Sequence, residues 1–182
     1  MNRTTTQIKD HIVRKGASEI VHSILDEGLF FETEDKLRGW AEEVFDTNFQ
    51  NELYGACRNA SYNIGWNDTG DIELSNRPFF HSMGDLNAPI VKDTDLKIKS
   101  ELLKEELMGF ELSKTVINCS RPGETYWEHT HNNSRVVLYY PNFKWNREWG
   151  GESLFYDSKG KDLIFASEYK PNRMILFNGE IP

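Results

Sequence analysis

The sequence predicts an α+β fold in which helices pack on one side of a β-sandwich or jelly roll. Three observations carry that expectation. Apolar residues recur at helical spacing before residue 110 and with period two after it. Aromatic residues, 13% of the chain, fall mostly in the second half, where they favour strands. Turn-forming dipeptides cut that half into short apolar segments. At 182 residues the chain suits one domain with a real core. Residues 1–109 supply mainly helical support and loops, and residues 110–182 supply the β core.

Residues 7–27 read as an amphipathic helix, with Ile8, Ile12, Val13, Ile20, Val21 and Ile24 on one stripe and Gly28 as its stop. Thr33 offers an N-cap for a second helix, followed by Glu34 and Asp35 at its positive end. Leu37, Trp40, Ala41, Val44 and Phe45 form its apolar stripe. Residues 50–92 are rich in Asn, Gly, Asp and Ser and read as loops with short helices, either ordinary surface or a lid over a pocket. A third helix is expected from near Thr94 to Gly109, with Leu96, Leu102, Leu103 and Leu107 facing inward. Strands are expected over 110–118, 125–131, 135–140, 152–156, 163–166 and 173–177. Pro122-Gly123, Gly150-Gly151, Lys159-Gly160, Pro171-Asn172 and Asn178-Gly179 punctuate them.

The net charge of −8 argues against non-specific binding to nucleic acid or to an anionic membrane, since both would repel the chain. Residues 1–9 are polar and carry no apolar signal segment, and no run reaches the length of a membrane span. The default compartment is therefore the cytoplasm. Cys57 and Cys119 form no CxxC and no disulfide framework, and they read as two reduced, buried or half-buried thiols.

His129-Thr130-His131 is the sharpest chemical signal. Residues i and i+2 of a strand point to one face, so both imidazoles can meet a single metal ion. Imidazole suits iron, zinc, copper and nickel. The bland reading is a pair of surface or hydrogen-bonded histidines. His81 is the only other candidate third ligand. His11 and His22 lie on the first expected helix and suit a plain surface role.

The surrounding motifs sharpen this. Tyr126-Trp127-Glu128-His129-Thr130-His131 precedes the strand that begins at Arg135 and ends in Tyr139-Tyr140-Pro141-Asn142. Trp145, Gly150-Gly151-Glu152-Ser153 and Pro171-Asn172-Arg173 follow in order. This succession resembles the prolyl-hydroxylase-like branch of the iron(II)- and 2-oxoglutarate-dependent oxygenases, over roughly residues 117–182. The resemblance implies a double-stranded β-helix buttressed by the N-terminal helices. It implies hydroxylation of an unidentified substrate, peptide or small molecule, with Fe(II), O2 and 2-oxoglutarate as co-substrate, and ascorbate as an optional third factor. His129 and His131 stand at the metal-binding and catalytic positions, and Tyr140 at the position that reaches the bound 2-oxoglutarate. Arg173, Trp145 and the Gly150-Gly151 pair stand at positions that hold the fold together.

Two departures from the family pattern matter. His131 stands where the family has Asp, which leaves the site one negative charge short, and Glu128 should face the other side of the strand. The family's distal metal-binding His and the Arg for the far carboxylate come after an Ile-Pro stretch like Ile181-Pro182. The expectation is therefore a chain truncated at its C-terminal end, with the β-helix incomplete there. Two further classes stay open. A cupin shares the barrel, and Gly123, separated from His129 by five residues, fits its first motif, but no Glu follows His131 within that motif. A non-catalytic binding module would keep the barrel and lose the metal site.

Overall fold

The computed structural model describes residues 38–65, 80–104, 107–120, 129–131, 135–157 and 159–182. The helix expected over 7–27 and the first residues of the second expected helix lie outside them. In chain order the elements are β1 (Arg38–Ala41), α1 (Thr47–Asn59), β2 (Asn63–Ile64), β3 (Phe80–Met83), α2 (Pro89–Lys97) and β4 (Val116–Cys119). They continue with β5 (Arg135–Tyr139), β6 (Ser153–Tyr156), β7 (Leu163–Ser167) and β8 (Met174–Asn178).

Every residue of β8 is buried, because β8 is the middle strand of the principal sheet. β1 pairs with it on one side and β5 on the other, both antiparallel. Successive strand residues face opposite ways, so β8 feeds two cores. Met174 and Leu176 join Phe45, Phe49, Leu103 and Leu107 beneath the helical layer. Ile175 and Phe177 join Tyr140, Phe155 and Ile181 on the other face, beneath the β6–β7 hairpin. Helices, principal sheet and hairpin thus form three layers. β2, β3 and β4 make a separate antiparallel sheet.

The mixed helix and antiparallel-strand composition agrees with the predicted class. The described strands form sheets of three, three and two, and among the described residues no closed barrel joins them.

Three elements differ from the expectation. Arg38–Ala41 is a strand and not the body of a helix, because its backbone completes the free edge of β8. That long-range pairing overrides the local helical pattern. Residues 50–92 contain most of a full helix, α1, which Asp46 starts: its carboxylate accepts from the Asn48 and Phe49 amides at 2.9 and 3.0 Å. Replacing Asp46 with Ala should cost about 1 kcal/mol in chemical denaturation, the usual value of an N-cap. The third helix starts earlier, at Pro89, a residue suited to a first turn. It ends in a π turn over Ile98–Leu102, where the Leu103 amide donates to the Ile98 carbonyl at 2.7 Å. That turn leads Leu103 into the core, while Leu96 lies on the far side and is 64% exposed.

Of the expected strands after residue 110, the last four are found within a residue or two of their expected bounds. The segment 110–118 is extended only at its end, in β4. Most of 125–131 lies outside the described residues. Both cysteines are free; Cys57 is half-buried and Cys119, at the end of β4, is exposed rather than buried.

Candidate functional site

His129 and His131 are brought together, though not by a strand: residues 129–131 have no regular secondary structure. Their ring centroids stand 4.8 Å apart with planes at 74°. The His131 amide donates to the Gly179 carbonyl. Gly179 follows Asn178, the last residue of β8, which pairs with Arg135, the first of β5. The histidines therefore sit at one end of the principal sheet.

The same end is closed by a tight turn. Asn178 accepts the Glu180 amide on its side chain and the Ile181 amide on its carbonyl, each at 3.1 Å. The Pro182 carbonyl then accepts the Tyr156 amide at 2.9 Å and ties the turn to β6.

Both histidines are exposed as residues. The His131 imidazole is nevertheless held below the ordinary histidine range, first by partial loss of hydration and then by the neighbouring His129 ring and the Lys114 cation. A depressed value keeps the ring neutral at physiological pH, with a nitrogen lone pair to offer a metal. The pair thus fits two positions of a metal ion that accepts imidazole. Among the described residues no group of three His, Cys, Asp or Glu side chains could hold one. His81 is not brought into such a group; it lies buried in β3, paired with Asn118 of β4.

Tyr140 sits at the other end. It follows the last residue of β5, about 17 Å along the strand from Arg135 at about 3.3 Å per residue. It is 5% exposed, and its hydroxyl shares a hydrogen bond of 2.6 Å with Ser153 Oγ. Burial pushes its phenol above the ordinary tyrosine range, against the hydrogen bond to Ser153 and the charge of Arg173, so it remains protonated.

Arg173 holds the structure together, the role that its position in the motif implies. Its guanidinium donates to Ser167 Oγ at 3.0 Å, to the Glu168 carbonyl at 2.9 Å and to Glu42 Oε1 at 2.7 Å. Lys170 grips the other oxygen of Glu42. Trp145 and the two glycines also serve packing and turn geometry. The indole N–H donates to the Gly150 carbonyl at 2.7 Å, and the ring stacks on Tyr169 with centroids 3.8 Å apart. Gly151 has a φ of 92°, and a Cβ there would come within 3.1 Å of Trp145 and 3.2 Å of Tyr169. Only glycine meets both demands without displacing a ring.

Sequence reasoning passed over the rim of the histidine pair. Arg135 lies over the Phe110 ring, 5.3 Å from its centroid, and Lys114 is near enough to His131 to act on it. These residues are far from the His-x-His in sequence or part of an unremarkable strand start, so no local pattern flags them.

No described helix is long and apolar enough to cross a membrane. Comparison of the chain with protein-family models, with curated proteins and with solved structures finds no match.

Proposed function

We propose that this chain is an iron(II)- and 2-oxoglutarate-dependent oxygenase of the prolyl-hydroxylase-like kind, oxidising an organic substrate, most simply by hydroxylation. The observation that carries the reading is the His129–His131 pair, with rings 4.8 Å apart, at one end of the principal sheet in a chain that carries the motifs in the family's order. A layered arrangement of helices, sheet and hairpin supports it, with Gly179–Pro182 folded beside the pair.

Bound iron(II), with 2-oxoglutarate and O2, would supply the oxidising power. His129 and His131 would hold the metal through two neutral nitrogens. The bond from the His131 amide to Gly179 fixes the backbone from which that ring projects. Tyr140 presents a neutral hydroxyl inside the sheet sandwich. It stands about 17 Å along β5 from the histidine end, at about 3.3 Å per residue, too far to touch a co-substrate on that metal, and its hydroxyl stays with Ser153. No protein carboxylate stands at the His131 position, so negative charge at the metal would come from the ligands.

Anaerobic titration with Fe(II), or with Mn(II) as a redox-inert probe, tests the reading. Metal uptake is expected, and either His129→Ala or His131→Ala should weaken it by more than about tenfold, since loss of an outer-shell partner alone costs that much. Iron-dependent release of succinate from 2-oxoglutarate should accompany uptake. Metal-dependent activity indifferent to 2-oxoglutarate would instead favour a cupin. A folded protein with no uptake would leave a binding module.

A further inference from the structure

Tryptophan and tyrosine side chains can give up a single electron, and four of them stand here in unbroken ring contact. Trp149 is 44% exposed and stands edge-on to Trp145, with centroids 5.3 Å apart. Trp145 stacks on Tyr169 at 3.8 Å, and Tyr169 lies over Tyr140 at 4.3 Å. Tyr140 is 5% exposed and belongs to the core beneath the β6–β7 hairpin. The row therefore runs from open water to the layer between hairpin and principal sheet. Gly151 lacks the Cβ that would press on both Trp145 and Tyr169. The phenylalanines of the same core, Phe155, Phe165 and Phe177, contact one another and do not interrupt the row.

Hydrogen bonding gives the row a direction. Tyr140 shares a proton with Ser153 Oγ at 2.6 Å, and Tyr169 donates to Asn142 Oδ1 at 2.9 Å. Neither partner is a base at neutral pH. A phenol that loses an electron there cannot also shed its proton, and a phenol that keeps its proton is harder to oxidise than an indole. A vacancy on either tyrosine therefore moves on to Trp145, whose N–H is held by the Gly150 carbonyl. At Trp149, open to water, the oxidised indole can release its proton and come to rest.

We propose that Tyr140, Tyr169, Trp145 and Trp149 form a relay that carries single oxidising equivalents out of the core to the surface, where a water-soluble reductant of the ascorbate or thiol class discharges them. The relay is independent of the oxygenase reading, since Tyr140 lies at the opposite end of β5 from the histidines. A high-potential radical at the inner end takes one electron from Tyr140 and is itself reduced by one. Tyr169, Trp145 and Trp149 refill the vacancy in turn, and Trp149 gives its indole proton to water. The external reductant returns the electron, and water returns the proton. No ring is changed, and one electron has passed from the reductant to the radical.

Pulse radiolysis with azide radicals, which take single electrons from exposed tryptophan, tests the relay in reverse. Tyr140→3-aminotyrosine makes the inner end the easiest ring to oxidise, so a vacancy made at the surface should run inward and stay there. The trap radical should form in a phase whose rate is independent of protein concentration. Tyr169→Phe keeps a ring in the stack but cannot carry the vacancy, so it should slow that phase, and adding Trp145→Phe should abolish it. Trp149→Phe should lower the yield of the trap radical, because entry by the exposed indole is lost. An unchanged rate in the double variant, an undiminished yield in Trp149→Phe, or no trap radical at all overturns the proposal. If position 140 does not admit the amino group, Tyr169→3-aminotyrosine moves the trap one ring outward. Trp145→Phe alone should then slow its oxidation, and an unchanged rate again overturns the relay.

Discussion

Replacing Arg173 with Met is expected to destabilise the fold by about 3–5 kcal/mol, read as a fall in the urea midpoint. The residue is 9% exposed and donates to three groups, among them Glu42, whose own side chain is 8% exposed. The substitution leaves that carboxylate buried with Lys170 as its remaining cation, and Lys170 is more open to water. A buried charge stripped of its partner costs far more than an intact pair contributes. The paired substitution Glu42→Gln with Arg173→Met should therefore lose less than the sum of the two single changes.

Acid should act on the same ion cluster. Burial alone would raise the Glu42 carboxyl, but Lys170 and Arg173, by hydrogen bond and by charge, outweigh it and hold it below the ordinary value. The unfolded chain therefore takes up this proton at a higher pH than the folded one. The stabilisation is complete above the ordinary glutamate range, about 4.3, and disappears as the pH falls through the lower folded value. In Arg173→Met this acid-sensitive part of the stability should shrink.

Truncating β8 should have an effect of similar size. Ile175 and Leu176 are each 1% exposed, and Ala at either position should cost about 2–5 kcal/mol. The two neighbours face different layers, which gives a sharper test than stability alone. Leu176→Ala should speed hydrogen exchange first in α1 and the segment that holds Leu103. Ile175→Ala should speed it first in the β6–β7 hairpin. If both variants loosened the same elements, the three-layer arrangement would be wrong.

The strands from β5 onward were legible because each alternates in burial or runs apolar between turn residues that work locally. Asn172 is the clearest case. It takes a φ of 58°, which Asn tolerates, and its side chain bonds both the amide and the carbonyl of Phe45. The turn was readable from Pro171-Asn172; the long-range clasp was not. β1 was misread because its conformation depends on pairing with a distant strand, and the sequence around Trp40 has a helical period of its own. α1 was hidden among residues that also favour turns. The histidine pair was read from a strand geometry that is absent at residues 129–131, and its rings still meet because the Gly179 contact positions the backbone. The contact between Arg135 and the Phe110 ring was invisible, since the two residues meet only through folding.

The placement of β8 also bears on how the molecule comes to be folded. Its partners β1 and β5 are synthesised long before it, and the β1 contact spans nearly the whole described chain. Until Met174 and Leu176 leave the ribosome, Phe45, Phe49 and Leu103 have no sheet to cover them. Such non-local closure slows folding and prolongs the exposure of sticky surface on the nascent polypeptide. Chaperone dependence during translation, and slow refolding after dilution from denaturant, follow from where this one strand lies in the order of synthesis.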